Sequence, residues 1–273
     1  MSTNLNDKLM DWLNEQGYPL EMTTAQLFRQ HGFRTLQSDY YTDPDSNTQR
    51  EIDVLAYREK KVEDAVLRIS FSVECKKAKD KPWIIFSSED LKLAPPARVA
   101  QRAGSKLAIH FLRLLSHQET IQKAPLFSLP RRPGYGVTQA FSSGQDVPFA
   151  ACVGAAKSAI TKARYFDSFM NFQGAMSDII FPIVLIEGKL FECYLSEDNA
   201  PILNEIQEGV LVWRNPVVQM PHTIIHILTL ESLPNFLSQA NETIDLLYSR
   251  EKEIASMSIK AQEIRSRRRL KGT

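Results

Sequence analysis

Side chains suited to hydrolytic chemistry lie close together in the segment 51–76. Glu74 and Lys76 flank Cys75 in FSVECKK, and Asp53 lies in the preceding EIDVLAYR. Alternate residues of a strand point to the same face, so Glu74 and Lys76 are predicted to share one surface while Cys75 turns into the core. If the two segments pair as a hairpin, a register exists that places the Asp53 carboxylate beside Glu74.

Two neighbouring carboxylates repel each other unless a positive charge lies between them, and a hard divalent cation with oxygen ligands relieves that repulsion. An adjacent lysine can then hold or deprotonate a water whose pKa the metal has lowered, and a phosphodiester is the target best suited to such a site. The residues therefore predict phosphodiester hydrolysis that depends on Mg²⁺ or Mn²⁺.

The spacing of an acidic residue two positions before a lysine is not specific by itself. It also occurs at Glu59/Lys61, Asp90/Lys92 and Glu187/Lys189. The first two lie in charged loop sequence, and Gly188 makes the third resemble a hairpin turn between the strands 179–187 and 190–195. Glu74/Lys76 differs because an acidic strand precedes it and an N-terminal helix carries another carboxylate, Glu21.

Hydrophobic periodicity predicts a mixed α/β fold. Helices are expected over 18–31, near 100–116, over 149–169 and from about 234 to 270, where the last one extends away from the body. Strands are expected over 51–58, 65–76, 179–187, 190–195, 210–218 and 224–230, with a short one near 34–43. The Pro-, Gly- and Ser-rich stretch 125–144 is predicted to be a surface loop.

The formal net charge of +1 hides an uneven distribution. Residues 76–136 carry 12 basic and 4 acidic side chains, a net +8, and the tail Arg265–Lys271 is also basic. A polyanionic partner and a merely solvated surface both account for this pattern. On the first reading, phosphate contacts are expected from Lys77, Lys79, Lys81, Arg102, Arg131 and Arg132. For Arg102 the start of a solvated helix is the alternative, and for Trp83 and Phe86 burial in the core is the alternative to stacking on bases.

The composition excludes several other classes. The longest apolar run, Ile179–Ile186, is far shorter than the roughly 20 residues of a membrane-spanning helix. The polar start of the chain lacks the features of a signal peptide, so no membrane association and a cytoplasmic location are expected. Three cysteines without a CxxC spacing argue against a disulfide framework or a zinc site and predict small buried side chains.

The arrangement of Glu21 on a first helix, Asp53 in EIDVLAYR, and Glu74 and Lys76 in FSVECKK resembles the PD-(D/E)xK nuclease superfamily. The resemblance implies a restriction-endonuclease-like α-β-β-β-α-β core and covers about residues 18–77. Later core elements would come from 149–195, with a long insertion over 78–148. The nuclease-like domain would then span 1–232 and include additional C-terminal strands. A C-terminal helix and basic tail would follow over 233–273.

Residue roles follow from the same resemblance. Asp53 and Glu74, with the backbone carbonyl of Cys75, would bind the metal, Lys76 would serve the attacking water, and Glu21 would complete the metal shell through water. Pro44-Asp45 spells the motif's nominal "PD" but lies in the turn before the strand, so the aspartate role is assigned to Asp53.

The function expected on these grounds is a magnesium-dependent nuclease acting on DNA rather than RNA, in a restriction or phage-defence system and, as for many nucleases of this fold, as a homodimer. Two alternatives remain open at this point. One is a catalytically idle nuclease-fold protein that serves as a nucleic-acid-binding or scaffold subunit. The other is an interaction protein whose C-terminal helix docks a partner, which is compatible with nuclease activity.

Overall fold

The chain forms one large mixed sheet with helices on both faces. The computed structural model describes residues 4–91, 93–142, 144, 146–168, 175–213 and 223–271, without the side chains of residues 79, 80, 168 and 267–271. Its helices are α1 (Leu5–Glu15), α2 (Tyr18–Gln30), α3 (Pro95–Ala100), α4 (Lys106–Leu115), α5 (Glu119–Gln122), α6 (Val147–Ser168), α7 (Leu233–Tyr248) and α8 (Glu251–Lys271). Its strands are β1 (Arg34–Thr42), β2 (Gln49–Val62), β3 (Ala65–Ser87), β4 (Ala103–Gly104), β5 (Gly134–Gln139), β6 (Ala175–Leu195), β7 (Pro201–Ile206), β8 (Glu208–Trp213) and β9 (Thr223–Thr229).

Two long strands, β3 and β6, organise the sheet. β1, β2 and β3 form an antiparallel meander, and β6 runs parallel to β3 along nearly its whole length. Further pairings connect β3 to β5, β5 to β8, β8 to β9 and β9 to β6. Five strands thus close a ring beside the β1–β2 hairpin. On the edge of β6 that faces away from β3, β4 and β7 pair with β6 before and after the part that pairs with β9.

Successive side chains of β3 point to opposite faces of the sheet, so this strand contributes to the core on both sides. Phe71 points toward α2 and α7, with its ring 5.7 Å from Phe28 and 6.0 Å from Phe236 between centroids. On the opposite face the hydroxyl of Ser72 lies 2.6 Å from that of Ser158 on α6. Helix α6 therefore covers the face on which Glu74 and Lys76 follow Ser72, and α2, α4, α7 and α8 cover the other.

The α/β class is confirmed, and so are α2, β2, the start of β3, α6 and β9. The predicted hairpin at Gly188 is wrong, because β6 continues straight through it. A Cβ at Gly188 would lie 2.5 Å from the carbonyl oxygen of Ala78, so this glycine permits close contact between β6 and β3 instead of a turn. The predicted surface loop over 125–144 is partly wrong, since β5 lies within it. The insertion predicted over 78–148 begins with the second half of β3, because this strand extends to Ser87.

The predicted C-terminal helix is two helices, with a break at Ser249 and Arg250, and it does not extend away from the body. Leu237 and Ile244 of α7 and Ile254 and Met257 of α8 are buried in the same apolar cluster as Phe71. The side chains of the basic tail beyond Ser266 lie outside the described residues. Within the described part of the chain, no helix combines the length and apolar character needed to cross a bilayer.

Candidate functional site

The β1–β2 hairpin separates from β3 at Asp53. The β2–β3 ladder runs from Val62 opposite Ala65 to Val54 opposite Val73 and stops there. The β1–β2 ladder skips the facing pair Ser38 and Asp53, where Ser38 adopts a positive φ of 52°. Beyond this point the Asp53 carboxylate takes the place of a backbone acceptor, since its Oδ2 accepts the Cys75 N–H at 2.7 Å. We call this separation the Asp53 fork.

Glu74 and Lys76 lie on the β3 side of the Asp53 fork, as the strand alternation predicts. Lys76 Nζ donates to Glu74 Oε1 at 2.6 Å, and both side chains are partly buried. Between them Cys75 turns to the other face, where its Sγ lies 3.7 Å from Thr24 Oγ1 of α2. The second oxygen of Glu74 faces α6 at Gly154, where a Cβ would stand 3.4 Å from Oε2. The small residue lets the helix lie close to this carboxylate.

Local sequence accounts for the position of α6. Asp146 caps the helix, because its carboxylate accepts the N–H of Phe149 at 3.1 Å and its backbone carbonyl accepts that of Ala150. Pro148 occupies the first turn, where its missing N–H costs nothing. The first turns of α6 thereby face the Asp53 fork with Phe149, Ala150 and Gly154.

A groove of about 700 Å³ lies between the hairpin, β3 and α6. The strands and the turn after β1 contribute Tyr41, Asp43, Arg50, Glu51, Asp53, Glu74 and Lys76, and α6 contributes Val147, Phe149, Ala150, Ala151, Val153, Gly154 and Lys157. Carboxylates are concentrated at the Asp53 fork, and cationic groups line the adjoining walls. Glu21 does not line this groove, but it is close enough for the charges of Asp53, Glu51 and Glu74 to act on its pKa.

Burial and mutual repulsion alter the proton affinity of the carboxylates. Burial, followed by the charges of Asp53 and Glu51, raises the pKa of Glu21 from 4.5 to about 7. Burial also raises the pKa of Asp53, although the Cys75 N–H and Lys76 act against it. For Glu74, burial raises the pKa, with Lys76 opposing and Asp53 adding to the rise. The four acidic groups together hold more negative charge than Lys76 neutralises.

Lys76 carries its proton at neutral pH. Burial acts to lower its pKa, but the charges of Glu74 and Asp53 and the hydrogen bond to Glu74 outweigh burial and raise the pKa above its ordinary value. An ammonium group with a raised pKa donates hydrogen bonds and stabilises anions, and it does not act as a base near pH 7.

The ion pairs between the hairpin and α6 were missed by the sequence analysis. Lys157 Nζ lies 3.0 Å from Asp43 Oδ2 and 2.7 Å from Asp45 Oδ2, and Lys162 Nζ lies 2.6 Å from Asp39 Oδ2. Asp43 is buried and its Oδ1 also accepts the Asp45 and Ser46 amides, so the Pro-Asp turn serves to hold the tip of the hairpin. The only sequence signal was a pair of lysines in an otherwise small and apolar helix.

The residues expected to contact phosphate are dispersed. Lys77 donates to the Asn14 carbonyl of α1, on the side opposite Lys76, and Lys81 is exposed. The Lys79 side chain lies outside the described residues. Arg131 and Arg132 pair with Glu89 near the far end of β3, and Arg132 also contacts Glu192.

Arg102 requires a correction, because it is not part of a solvated surface. Its side chain is buried, its Nε and one terminal nitrogen donate to the Arg98 and Leu126 carbonyls, and it lies against the rings of Phe127 and Phe181. Burial lowers the pKa of Arg102 to about 9. Its contacts connect α3 to the segment before β5, so it is excluded as a phosphate ligand.

The donor set at the Asp53 fork consists of oxygen atoms, which suits a hard cation such as Mg²⁺ or Mn²⁺. Among the residues that the structure describes, no group of three or more His, Cys, Asp or Glu side chains is already arranged to hold a metal ion. The fit therefore rests on the oxygen chemistry of the carboxylates. Burial is the largest cause of their raised pKa values, and the charges of neighbouring carboxylates add to the rise.

Comparisons of the chain with models of protein families, with curated proteins and with solved structures found no match. Any function assigned to the groove rests on the groove's own residues.

Proposed function

We propose that this chain is a metal-dependent nuclease that hydrolyses DNA phosphodiester bonds at the Asp53 fork. The observation that carries the proposal is the convergence of Asp53, Glu74 and Lys76, with the Cys75 N–H bound to the Asp53 carboxylate at 2.7 Å and the Lys76 amine 2.6 Å from Glu74. The order α2, β1, β2, β3, α6, β6 supports a restriction-endonuclease-like core, because it matches the α-β-β-β-α-β sequence of elements when the inserted elements α3 to β5 between β3 and α6 are set aside.

Asp53, Glu74 and the Cys75 carbonyl would hold the divalent cation, with Glu21 nearby. When bound, the cation supplies a Lewis acid for phosphodiester hydrolysis and offsets the repulsion among these carboxylates. Without the cation the pKa of Glu21 is about 7, and the positive charge of a bound cation would lower it, so Glu21 would face the cation as a carboxylate.

Lys76 is assigned to holding the attacking water or the phosphate oxygens, because its amine is charged at neutral pH. Arg50 is 59% exposed on the groove wall and offers a second cation to the backbone of the nucleic acid. Lys157 lies deeper and is occupied by Asp43 and Asp45, so it shapes the wall.

The test is cleavage of labelled DNA with Mg²⁺ by Asp53→Asn and Lys76→Met variants. Both substitutions nearly keep the side-chain volume, and we expect cleavage to fall at least 100-fold. Lys76→Met leaves Glu74 without its partner and should lower the unfolding temperature, so circular dichroism at the assay temperature verifies that both variants are folded. Lys189→Met is the matched control, because Lys189 belongs to another acidic-x-Lys triplet and forms an exposed ion pair with Glu205. Full cleavage by either site variant would refute the proposal.

A second function, a non-catalytic nucleic-acid-binding subunit, is favoured by one observation. Glu74 is already paired with Lys76, an arrangement that an idle site would also adopt. Titration calorimetry with Mg²⁺ distinguishes the two functions. A nuclease takes up the ion and loses that uptake in Asp53→Asn, whereas an idle subunit shows no uptake and binds DNA equally well with Glu74→Gln.

A further inference from the structure

Phe149 separates the groove at the Asp53 fork from a second, aromatic pocket. This pocket has a volume of about 480 Å³, and Phe149 lines both depressions. Its other aromatic walls are Trp213, whose ring centroid lies 5.1 Å from that of Phe149, and Tyr135. Phe149 and Tyr135 are 54% and 59% exposed, so two rings face an open space beside the candidate site.

The lining of the aromatic pocket selects against phosphate. Leu211, Val212 and the three rings dominate it, and among the described residues the charged one in its lining is an acid, Asp90. A phosphate would be repelled by Asp90 and would lose its hydration against apolar walls. A planar, uncharged group with polar edges fits these walls, because aromatic rings stack on it and a carboxylate can accept its N–H groups.

A third depression continues from the aromatic pocket. Tyr135 and Asp90 line both, and the further groove also contains Arg131, Arg132 and Tyr194. The Arg132 guanidinium lies 3.7 Å from the centroid of the Tyr194 ring. Carboxylates and a lysine line the groove at the Asp53 fork, and aromatic rings line the pocket beside it. The third depression contains the two arginines, which also pair with Glu89 and Glu192. Alternation of cationic and aromatic groups is typical of surfaces that bind single-stranded nucleic acid.

We propose that the aromatic pocket receives an unpaired base next to the bond that is cut, and that the substrate of this site is single-stranded DNA or a single-stranded region of a DNA molecule. The inference rests on the proposed nuclease function for the identity of the strand. Bases within a duplex are stacked and paired, so they cannot enter a pocket lined by Phe149 and Trp213 without leaving the helix. A strand that crosses from the Asp53 fork toward Arg131 would pass this pocket, because Phe149 lines both the groove and the pocket and Tyr135 lines both the pocket and the third depression.

Binding to three fluorescent ligands tests the proposal: a single-stranded oligodeoxynucleotide, its duplex, and the same strand with abasic sites. Anisotropy is measured in EDTA with the Lys76→Met background, so that no cleavage interferes. We expect the single strand to bind more tightly than the other two, and Phe149→Ala to weaken single-strand binding about 5- to 150-fold, the range for loss of one stacked base. The abasic strand should bind Phe149→Ala and its parent equally.

Three further variants make the test specific. Phe149→Leu keeps apolar volume without a flat face and should bind nearly as weakly as Phe149→Ala. Tyr135→Ala removes a ring that is 59% exposed, so it tests the pocket without loss of core packing. Tyr165→Ala is the matched control, because Tyr165 is equally exposed on α6 but about 24 Å farther along the helix, and its binding should not change.

The two proposals fail in different ways. Equal affinity for single strand and duplex, with no effect of Phe149→Ala on either, would overturn the assignment of the pocket even if DNA is cleaved. Base-dependent binding that Phe149→Ala abolishes would support the assignment of the pocket as a base-binding site. This holds even if no condition gives cleavage and the nuclease proposal is abandoned.

Discussion

Removing the charge of Glu21 should stabilise the folded protein in a pH-dependent manner. The pKa of Glu21 rises from 4.5 to about 7 because the side chain is partly buried and faces Asp53 and Glu51. A carboxyl group that binds its proton more tightly when folded lowers stability as pH rises from 4.5 to 7, since the folded state must then hold an unfavourable charge. Glu21→Gln removes that charge and keeps the shape.

The size of the effect follows from the two pKa values of Glu21. A rise from 4.5 to about 7 corresponds to about 3 kcal/mol at full ionisation, at about 1.4 kcal/mol for each tenfold change in proton affinity. Water reaches part of this side chain and screens the repulsion, so we reduce the figure to about 1 to 2 kcal/mol. In a chain of this length that corresponds to an increase of about 2 to 4 °C in Tm at pH 8.

Thermal unfolding of Glu21→Gln and the parent, followed by circular dichroism from pH 4.5 to 8.5 in EDTA, measures this difference. The gain in Tm should be near zero at pH 4.5, grow through pH 7 and level off above pH 8. Glu242→Gln is the control, because Glu242 is an exposed helix carboxylate on α7, away from the Asp53 fork. Magnesium should raise the Tm of the parent at pH 8 more than that of Glu21→Gln, since the ion relieves the same repulsion.

A Tm difference between Glu21→Gln and the parent that does not change with pH would refute the reasoning. It would mean that neither burial nor the negative charges of Asp53, Glu51 and Glu74 raise the pKa of Glu21 in the folded protein. A parallel change in Glu242→Gln would instead indicate a general effect of net charge.

Three other substitutions have definite expected outcomes. Gly154→Ala should raise stability by about 1 kcal/mol in thermal unfolding, because its Cβ would lie in van der Waals contact with Glu74 Oε2 at 3.4 Å and alanine favours a helix. Gly154→Leu should instead block the groove and abolish DNA cleavage. Gly188→Ala should lower stability by about 1 to 3 kcal/mol in urea unfolding, because its Cβ would meet the Ala78 carbonyl. Burial raises the pKa of Asp178 from 3.8 to about 8, so the stability advantage of Asp178→Asn over the parent should grow as pH rises from about 4 to 8, including the interval from pH 6 to 8, and level off by pH 9 in the same assay.

Each of these outcomes has a contrary result. Gly154→Leu with normal cleavage would show that α6 does not confine Glu74. Unchanged stability of Gly188→Ala would mean that β6 can move away from β3 without cost. For Asp178, a stability difference that is the same at pH 6 and pH 9 would show that its carboxyl group does not titrate in this range.

The juxtaposition of Asp53, Glu74 and Lys76 could be predicted from the sequence because its determinants are local. The alternation of Ile52 and Val54 around Asp53, and of Val73 and Cys75 around Glu74, fixes which side chains face the core, and a hairpin brings the two segments together. The separation of the strands at Asp53 is also local, and it coincides with the positive φ of Ser38. A serine gives no sequence signal for a positive φ, so this feature could not be predicted.

Long-range pairing could not be predicted in the same way. The charged stretch after Lys76 looks like a loop, yet it continues as β3 because β6 pairs alongside it on both sides of a shift in register between Ala78 and Trp83. Gly188 has the sequence environment of a turn and serves a close strand contact. In both cases a partner more than 100 residues away decides the local conformation.

The hairpin tip is attached to α6 through Asp39, Asp43 and Asp45, which pair with Lys157 and Lys162, while its backbone ladder to β3 ends at Val54. Dissolved ions weaken the more exposed of these attachments as well as the attraction between protein and polyanion. DNA affinity declines as ionic strength rises, and the slope of that decline would then have two causes. One is counterion release, and the other is loosening of one wall of the groove. A count of neutralised phosphates taken from that slope alone would be too high, and Lys162→Met would give a shallower slope without any phosphate contact being removed.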